Sequence, residues 1–221
     1  MLIAIAAVGF IVQARLRSVF RKYSKPAFQG GLTGREVAEK MLRDNGIDGV
    51  KVAAAQGTLT DNYNPSNKTI SLSEGVYAGC SVSAAAVAAH ECGHAIQHAA
   101  AYGPLKMRSA LVPLVMFSSQ WAFAVILAGM VLINISNSYA VFWIGISMIA
   151  LSTLFSLITL PVEFDASRRA MAWLRSSGTM NEEQLSQAKK ALSWAACTYL
   201  VAALSAIVTL IYFMSFARNR S

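Results

Sequence analysis

The chain has 221 residues, of which 55% are hydrophobic and 14% are charged, and its mean hydropathy is +0.47. This composition excludes an ordinary soluble domain and predicts an integral membrane protein that is mainly α-helical. The formal net charge of +8 is not accompanied by a basic helix or an aromatic platform, so no nucleic-acid partner is predicted.

Residues 1–14 are apolar and form the predicted N-terminal membrane anchor. As a helix they would be about 21 Å long, which is shorter than the ~30 Å hydrocarbon core of a bilayer. Basic residues follow this segment instead of preceding it, which differs from a cleavable signal peptide and favours an uncleaved anchor with its N-terminus outside. Local thinning of the bilayer or snorkelling arginines would accommodate the short length. A start site placed too late in the gene is the alternative.

Residues 15–110 are predicted to form a small cytoplasmic α+β lobe. Thr33 and Glu36 have the spacing of a capping box and predict a helix that ends near Arg43. Two strands are predicted at 50–53 and 68–72, and the segment 61–67 between them is turn-rich. An exposed strand edge here would either accept an extended peptide or only cover the site.

The lobe ends in an alanine-rich predicted helix, 83–101, which contains the pattern His90-Glu91-Cys92-Gly93-His94. Residues four apart lie on one face of a helix, so both histidines can reach one ion. The pattern is typical of a zinc protease, in which Glu91 is the general base beside a metal-activated water. One Zn²⁺ with three protein ligands and an open fourth position fits hydrolysis. The alternative is a packing helix that happens to carry polar residues.

Four other residues of this helix have less direct interpretations. His98 lies a further turn along and is rotated about 80° from His90, so it is poorly aimed at the same ion. Cys92 is a weak candidate nucleophile because no separate base with an orienting partner is visible. Gly93 is costly in a helix and predicts a close approach of a neighbouring backbone. Gln97 stands where a metzincin would require glycine, which excludes that class.

The next predicted element is a transmembrane hairpin at 111–162. No charged residue occurs from Ser109 to Val162, a run of 54 residues that is long enough for two spans and a turn. Asn and Ser residues at 134–138 supply the turn, Pro113 suits a helix start, and Pro161 suits a helix end. The predicted spans are 112–133 and 140–161, and a third span is predicted at 191–217.

The third metal ligand is predicted in a cytoplasmic helix at 163–190. Glu163 follows the apolar run directly, and a glutamate from a second helix completes a two-histidine zinc site in one class of protease. Glu163 is preferred over Asp165 because its side chain is longer and comes first. The alternative is an acidic and basic rim where a helix leaves the membrane. The groups that could hold a ligand in place or stabilise the transition state are His98, Asp165, Arg168 and Tyr63.

The placement of basic residues predicts the orientation. If 15–108 and 163–190 face the cytoplasm, 17 of the 19 basic residues are inside, and only Arg218 and Arg220 are outside. The histidines and Glu163 then lie on the same side of the bilayer, as one metal site requires. The three cysteines cannot form a disulfide framework, and a cytoplasmic setting keeps thiols reduced.

The chain also resembles a known family, the YugP-type membrane neutral zinc metallopeptidases. The segments that carry the resemblance are Leu59-Thr60-Asp61-Asn62-Tyr63-Asn64-Pro65, Lys68-Thr69-Ile70-Ser71-Leu72-Ser73-Glu74, Ala89-His90-Glu91-Cys92-Gly93-His94-Ala95-Ile96-Gln97 and Leu160-Pro161-Val162-Glu163-Phe164-Asp165-Ala166-Ser167-Arg168-Arg169-Ala170. They occur in the order of the family and, with the spans, cover nearly the whole chain. A more distant similarity is to HtpX-like and CAAX-prenyl-type membrane proteases, which are gluzincins.

The resemblance implies His90, His94 and Glu163 as ligands of one Zn²⁺ and Glu91 as the base. It also implies a multi-pass protein of the bacterial cell (inner) membrane with a gluzincin-like lobe. Two departures from the related patterns stand out. Asn62 and Asn64 replace the histidine and aspartate of the usual Asp-His-Tyr-Asp-Pro turn, and Ser167 replaces an aspartate that the distant relatives carry. Asp165 is then a candidate for orienting a histidine ligand.

Three functions remain open from the sequence. The favoured one is a zinc endopeptidase that hydrolyses peptide bonds of membrane-associated or misfolded proteins at the cytoplasmic face. A zinc-stabilised, non-catalytic membrane scaffold or chaperone is the alternative, although such a site has no use for Glu91. A transporter or channel is disfavoured because the predicted spans contain no charged residue. The predicted partners are a polypeptide substrate and the lipid bilayer, and no oligomeric state is predicted.

Overall fold

The computed structural model describes residues 2–25 and 31–218, most of which are helical. Met1 of the predicted anchor and Arg220, which the predicted topology places outside, are not among the described residues. In chain order the described elements are α1 (Leu2–Tyr23), α2 (Gly34–Asp44), β1 (Lys51–Ala55), β2 (Asn62–Asn64), β3 (Thr69–Ser73), α3 (Glu74–Tyr77), α4 (Val82–Ala99), α5 (Gly103–Ser136), α6 (Ala140–Ser176) and α7 (Glu182–Arg218).

The helix and strands of the lobe begin where local chemistry favours them. The Thr33 hydroxyl accepts the Glu36 backbone N–H at 3.2 Å and the Glu36 carboxylate accepts the Thr33 N–H at 2.7 Å, which confirms the capping box of α2. The sheet order is β1-β3-β2, with β1 parallel and β2 antiparallel to β3. Strands β1 and β3 confirm the two predicted strands.

Strand β2 lies inside the segment 61–67, which the sequence predicts to be turn-rich, so part of this segment is extended instead. In β2, Tyr63 pairs with Ile70 of β3 and packs its ring against the core of the lobe. Asn and Pro around it predict turns, but a tertiary contact decides the backbone of this short segment. As a result, β2 is the edge strand that lies nearest to α4.

Helix α4 confirms the predicted helix 83–101 within two residues and lies at the centre of the lobe. The Ser81 hydroxyl caps it by accepting the Ala84 N–H at 3.2 Å. Its alanines are buried on nearly every side, because small side chains let α2 and α6 pack closely against it. The apolar core around it is formed by α2, β3, α4 and the adjoining ends of α6 and α7.

Three described helices, α5, α6 and α7, are long and apolar enough to cross a bilayer, which confirms the three spans predicted there. Large apolar side chains on their outer faces are exposed, as Phe117 (65%), Phe123 (64%) and Ile135 (77%) illustrate. This outer surface is what lipid tails would cover. Helix α1 packs along α7, but it is not among the three, and the four-span topology stays a prediction.

The boundaries of these helices differ from the predicted ones. Pro113 and Pro161 lie inside α5 and α6, so the prediction that they mark helix ends is wrong. The single helix predicted at 163–190 is also wrong, because α6 continues to Ser176 and α7 begins at Glu182. Charged residues indicate where a helix leaves the membrane and meets water. The backbone hydrogen bonds of the helix continue beyond that point, so the helix does not end there. A membrane helix also tolerates the loss of the one backbone hydrogen bond that a proline cannot make.

Candidate metal centre

Helices α4 and α6 bring together the three predicted ligands. His90 Nε2 lies 3.2 Å from Glu163 Oε2, and His94 Nε2 lies 3.6 Å from the same oxygen. The three ligand atoms lie within 4.8 Å of one another, and Glu163 is only 2% exposed. His90 and His94 are four apart, so their rings project from one face of α4 with centroids 4.8 Å apart.

The two distances to Glu163 Oε2 fit a zinc ion. With zinc–ligand bonds of about 2.0–2.1 Å, a tetrahedral site separates neighbouring ligand atoms by roughly 3.3 Å. The two distances to Glu163 Oε2, 3.2 and 3.6 Å, bracket that value. Two imidazoles and one carboxylate are also the donor set that zinc hydrolases use while one position stays open. These three residues could therefore hold one Zn²⁺.

Gln97 fixes the tautomer of His94. The Gln97 amide nitrogen donates to the Val162 carbonyl at 2.8 Å and to Asp165 Oδ2 at 3.0 Å, which assigns the other amide atom as the carbonyl oxygen. That oxygen lies 3.0 Å from His94 Nδ1 and can only accept, so Nδ1 carries the proton. The Nε2 lone pair of His94 is then free to bind a metal.

The second histidine has a different partner. Ser167 Oγ lies 3.1 Å from His90 Nδ1, at the position where the distant relatives carry an aspartate. A hydroxyl can accept from Nδ1–H and hold the ring, but it brings no negative charge to the imidazole. Both imidazoles are thus oriented by a partner at Nδ1, which is an amide for His94 and a hydroxyl for His90.

Arg108, at the start of α5, completes the environment of Glu163. Its guanidinium Nη1 donates to Glu163 Oε1 at 3.0 Å, while the other carboxylate oxygen faces the histidines. A charge-assisted hydrogen bond of this kind holds the carboxylate in one orientation. The arginine also compensates a buried negative charge that would otherwise be costly.

Glu91 lines a cleft of about 330 Å³ together with both histidines, Glu163 and Arg108. It is 7% exposed, and its carboxylate has no hydrogen-bond partner among the residues that the structure describes. Burial raises the pKa of Glu91 above its ordinary value, against the opposite effect of the two histidines. A raised pKa brings a carboxylate closer to the range in which it can accept and return a proton near neutrality.

The other candidate residues lie at different distances from the cleft. Tyr63 lines it from β2, and its hydroxyl lies 2.8 Å from His98 Nδ1, so His98 is paired with Tyr63 outside the group of three ligands. Asp165 reaches His94 only through Gln97 and also accepts from Arg168 and Arg169. Arg168 lines a separate groove between α6 and α7 and is not among the residues that line the cleft.

Cys92 and Gly93 have packing roles. Cys92 is fully buried, its thiol donates to the Ala38 carbonyl at 3.4 Å, and burial raises the pKa of this thiol well above its ordinary value. A nucleophilic role is thereby disfavoured. A Cβ atom on Gly93 would lie 2.5 Å from the Ala166 carbonyl oxygen, which confirms the predicted close approach of another backbone.

The roles of four residues of this site were not predicted from the sequence: Gln97, Arg108, Ser167 and Tyr199. Gln97 follows His94 by three residues, and residues at this spacing lie on the same face of a helix, so its side chain lies near that imidazole. Arg108 and Glu163 flank the uncharged run, and a hairpin brings the two ends of such a run together. Tyr199, which lines the cleft from α7, carries no comparable signal.

Comparisons with known proteins identify the family of this chain. A family model described as putative neutral zinc metallopeptidase matches residues 1–218. The chain is also similar to the putative membrane protease YugP of Bacillus subtilis (strain 168), with 42% identity over 219 residues that cover 98% of this chain and 96% of that protein. No solved structure matches the chain.

Proposed function

Since the chain belongs to the family of neutral zinc metallopeptidases whose model matches residues 1–218, we propose that it is a membrane endopeptidase of the gluzincin type. Its substrates are membrane-associated or misfolded polypeptides, and it hydrolyses their peptide bonds at the cytoplasmic face. The observation that carries the proposal is the position of Glu91, whose carboxylate faces the cleft beside His90, His94 and Glu163. A purely structural metal site needs no such base.

The residues of the cleft divide the work of hydrolysis. When bound, Zn²⁺ acts as a Lewis acid toward water and the peptide carbonyl. Glu91 accepts the proton of the attacking water as the new carbon–oxygen bond forms, and it returns a proton to the leaving amine as the carbon–nitrogen bond breaks. Tyr63, Tyr199 and Arg108 line the same cleft and offer donors for the developing oxyanion.

The edge strand β2 offers a binding mode for an extended substrate. β2 pairs with β3 on one side only, and its residues 62–64 line the cleft. A polypeptide that added to this edge would make main-chain hydrogen bonds that do not depend on its sequence. This mode suits a protease that acts on many unfolded chains.

The proposed topology has four spans, in α1, α5, α6 and α7, with residues 15–110 and 163–190 in the cytoplasm. α1 packs along α7 with Gly9 next to Val201, as a fourth membrane helix would. The distribution of basic residues supports a cytoplasmic site, because 17 of the 19 lie in the two cytoplasmic segments. The location that follows is the cell membrane of a bacterium.

The test is Glu91→Gln in the full-length protein, purified in detergent and assayed on a fluorescently labelled unfolded protein. We expect zinc content to stay at one ion per chain and the cleavage rate to fall by about 10²- to 10⁴-fold, because only the base is lost. Glu74→Gln, on the short helix α3 outside the cleft, is the matched control and should cleave normally. Undiminished cleavage by Glu91→Gln would reject the mechanism. Wild-type protein that holds zinc but cleaves no unfolded chain would favour a scaffold.

A further inference from the structure

A second cavity, the lateral groove, runs between α6 and α7 and has a volume of about 630 Å³. None of the residues that line it also lines the metal cleft. The walls that matter here are formed by Phe164, Arg168 and Arg175 on α6 and by Lys189, Cys197 and Leu200 on α7. The proposed chemistry of the metal site leaves this groove without a role.

The lateral groove is apolar at one end and basic at the other. Phe164 is 50% exposed and Leu200 is 43% exposed at the apolar end, although both are large hydrophobic residues. Arg175 and Lys189 lie at the opposite end. Arg175 is eleven positions after Phe164 on α6, and Leu200 is eleven positions after Lys189 on α7, so the two ends are about 16 Å apart.

The two walls meet water and membrane at different levels. Helix α6 carries charged residues from Glu163 onward, whereas the neighbouring antiparallel helix α7 carries none from Ala191 to Ala217. The charged stretch of α6 therefore lies beside an uncharged stretch of α7, and the basic end of the groove is formed by Arg175 and Lys189. Phe164 and Leu200 are exposed at the apolar end, so an occupant with an apolar chain and an anionic head would cover them and pair with the basic end.

We propose that the lateral groove binds one anionic phospholipid, with an acyl chain against Phe164 and Leu200 and its phosphate beside Lys189 and Arg175. Lys189 has no ion-pair partner among the described residues. Arg175 is 3.7 Å from Glu182, but the two side chains are 70% and 83% exposed, so solvent screens this pair. Both cations are thus available to a phosphate.

A lipid fits the lateral groove better than a polypeptide does. Both walls are helices, whose backbone groups are bonded within the helix, and the groove presents no strand edge for an extended chain. The pairing of a long apolar wall with a basic end matches an acyl chain and a phosphate. Anionic lipids also supply a surface potential that attracts lysine and arginine near the membrane.

Ser167 connects the lateral groove to the metal site. Ser167 lines the groove, and its hydroxyl lies 3.1 Å from His90 Nδ1. A bound lipid would contact the residue that orients this imidazole and would limit the access of water to it. The inference itself rests on the helices and charges of the groove, and it stands whether or not the protein is a protease.

Lipid retention tests the inference. The full-length protein in mild detergent is mixed with phosphatidylglycerol or phosphatidylcholine of identical acyl chains, and bound lipids are counted by native mass spectrometry. We expect one phosphatidylglycerol to be retained in preference to phosphatidylcholine. Arg175→Gln with Lys189→Gln should lower phosphatidylglycerol affinity about 20- to 30-fold, since each basic side chain contributes about fivefold. Both changed side chains are exposed, so the fold should persist.

Lys51→Gln with Lys68→Gln is the matched control, because it removes two positive charges from the sheet of the lobe and should keep the preference. Zinc content should be unchanged in both double variants, which separates a failed lipid site from a failed metal site. Equal retention of the two lipids by wild type, or equal loss of preference in both variants, would overturn the proposal.

A second measurement locates the lipid. Phosphatidylglycerol with a photoreactive group in its acyl chain should crosslink to peptides that contain 164–175 or 189–200. Crosslinks confined to the outer face of α5, or to the lobe, would also overturn the proposal.

Discussion

Replacing Gln97 with methionine is expected to weaken zinc binding without unfolding the protein. Gln97 is fully buried, and methionine has nearly the same length and volume, so packing is largely preserved. The substitution removes the acceptor at 3.0 Å from His94 Nδ1 and the donors to Val162 and Asp165. Asp165 keeps Arg168 and Arg169, so His94 is the group that loses the hydrogen-bond partner of its Nδ1.

The expected size of the effect on zinc binding and stability follows from the hydrogen bonds that the substitution removes. A buried donor left unpaired costs about 1–3 kcal/mol, which bounds the loss of stability of the metal-free protein. Removing a residue that orients a metal-binding histidine typically lowers metal affinity by about 10- to 100-fold. We expect a zinc Kd raised by that factor, measured by competition with a chromophoric chelator, and unchanged helix content by circular dichroism.

Gln187→Met is the matched control. Gln187 lies on α7, away from the cleft, and its amide nitrogen donates only to Glu183 at 3.1 Å. This variant should bind zinc like the wild type. If Gln97→Met kept the wild-type zinc Kd while its fold was intact, the reasoning that Gln97 sets the tautomer of His94 would be wrong.

Two further substitutions test packing and catalysis. Gly93→Ala places a methyl group 2.5 Å from the Ala166 carbonyl oxygen and should lower the free energy of unfolding by about 1–3 kcal/mol or more, whereas Gly75→Ala, which meets nothing within 4 Å, should change it little. Equal melting temperatures for the two variants would contradict the close approach of α4 and α6. Tyr63→Phe removes the hydrogen bond to His98 and a donor in the cleft. If this hydroxyl stabilises the oxyanion, kcat should fall about 10²-fold with zinc content unchanged, and a normal kcat would exclude that role.

The predicted spans and metal ligands came from patterns that act over short distances. The spacing of His90 and His94 places two imidazoles on one face of any helix, whatever surrounds it. The capping box of α2 is equally local, since Thr33 and Glu36 satisfy each other's backbone groups. Long uncharged runs predict membrane helices because a charged side chain is costly to bury in lipid, and a stretch without charges avoids that cost.

Other features depended on the tertiary structure. Strand β2 forms in a turn-rich segment because Tyr63 pairs with β3 and packs on the core. Helix α6 continues through Pro161 because a change from apolar to charged residues does not interrupt the backbone hydrogen bonds of a helix. The direct partners of the ligands are Gln97, Ser167 and Arg108. Asp165, the candidate for orienting a histidine, reaches His94 only through Gln97.

For this protein, the amino-acid sequence determined which side chains can bind a metal and which stretches can enter a bilayer, since both follow from residue type and helical spacing. Only the tertiary structure decided which groups hold those side chains in place. The physical reason is that a hydrogen bond needs its two atoms within about 3 Å at a suitable angle, and residues such as Arg108 and Glu163 meet this condition only after α5 and α6 have packed together.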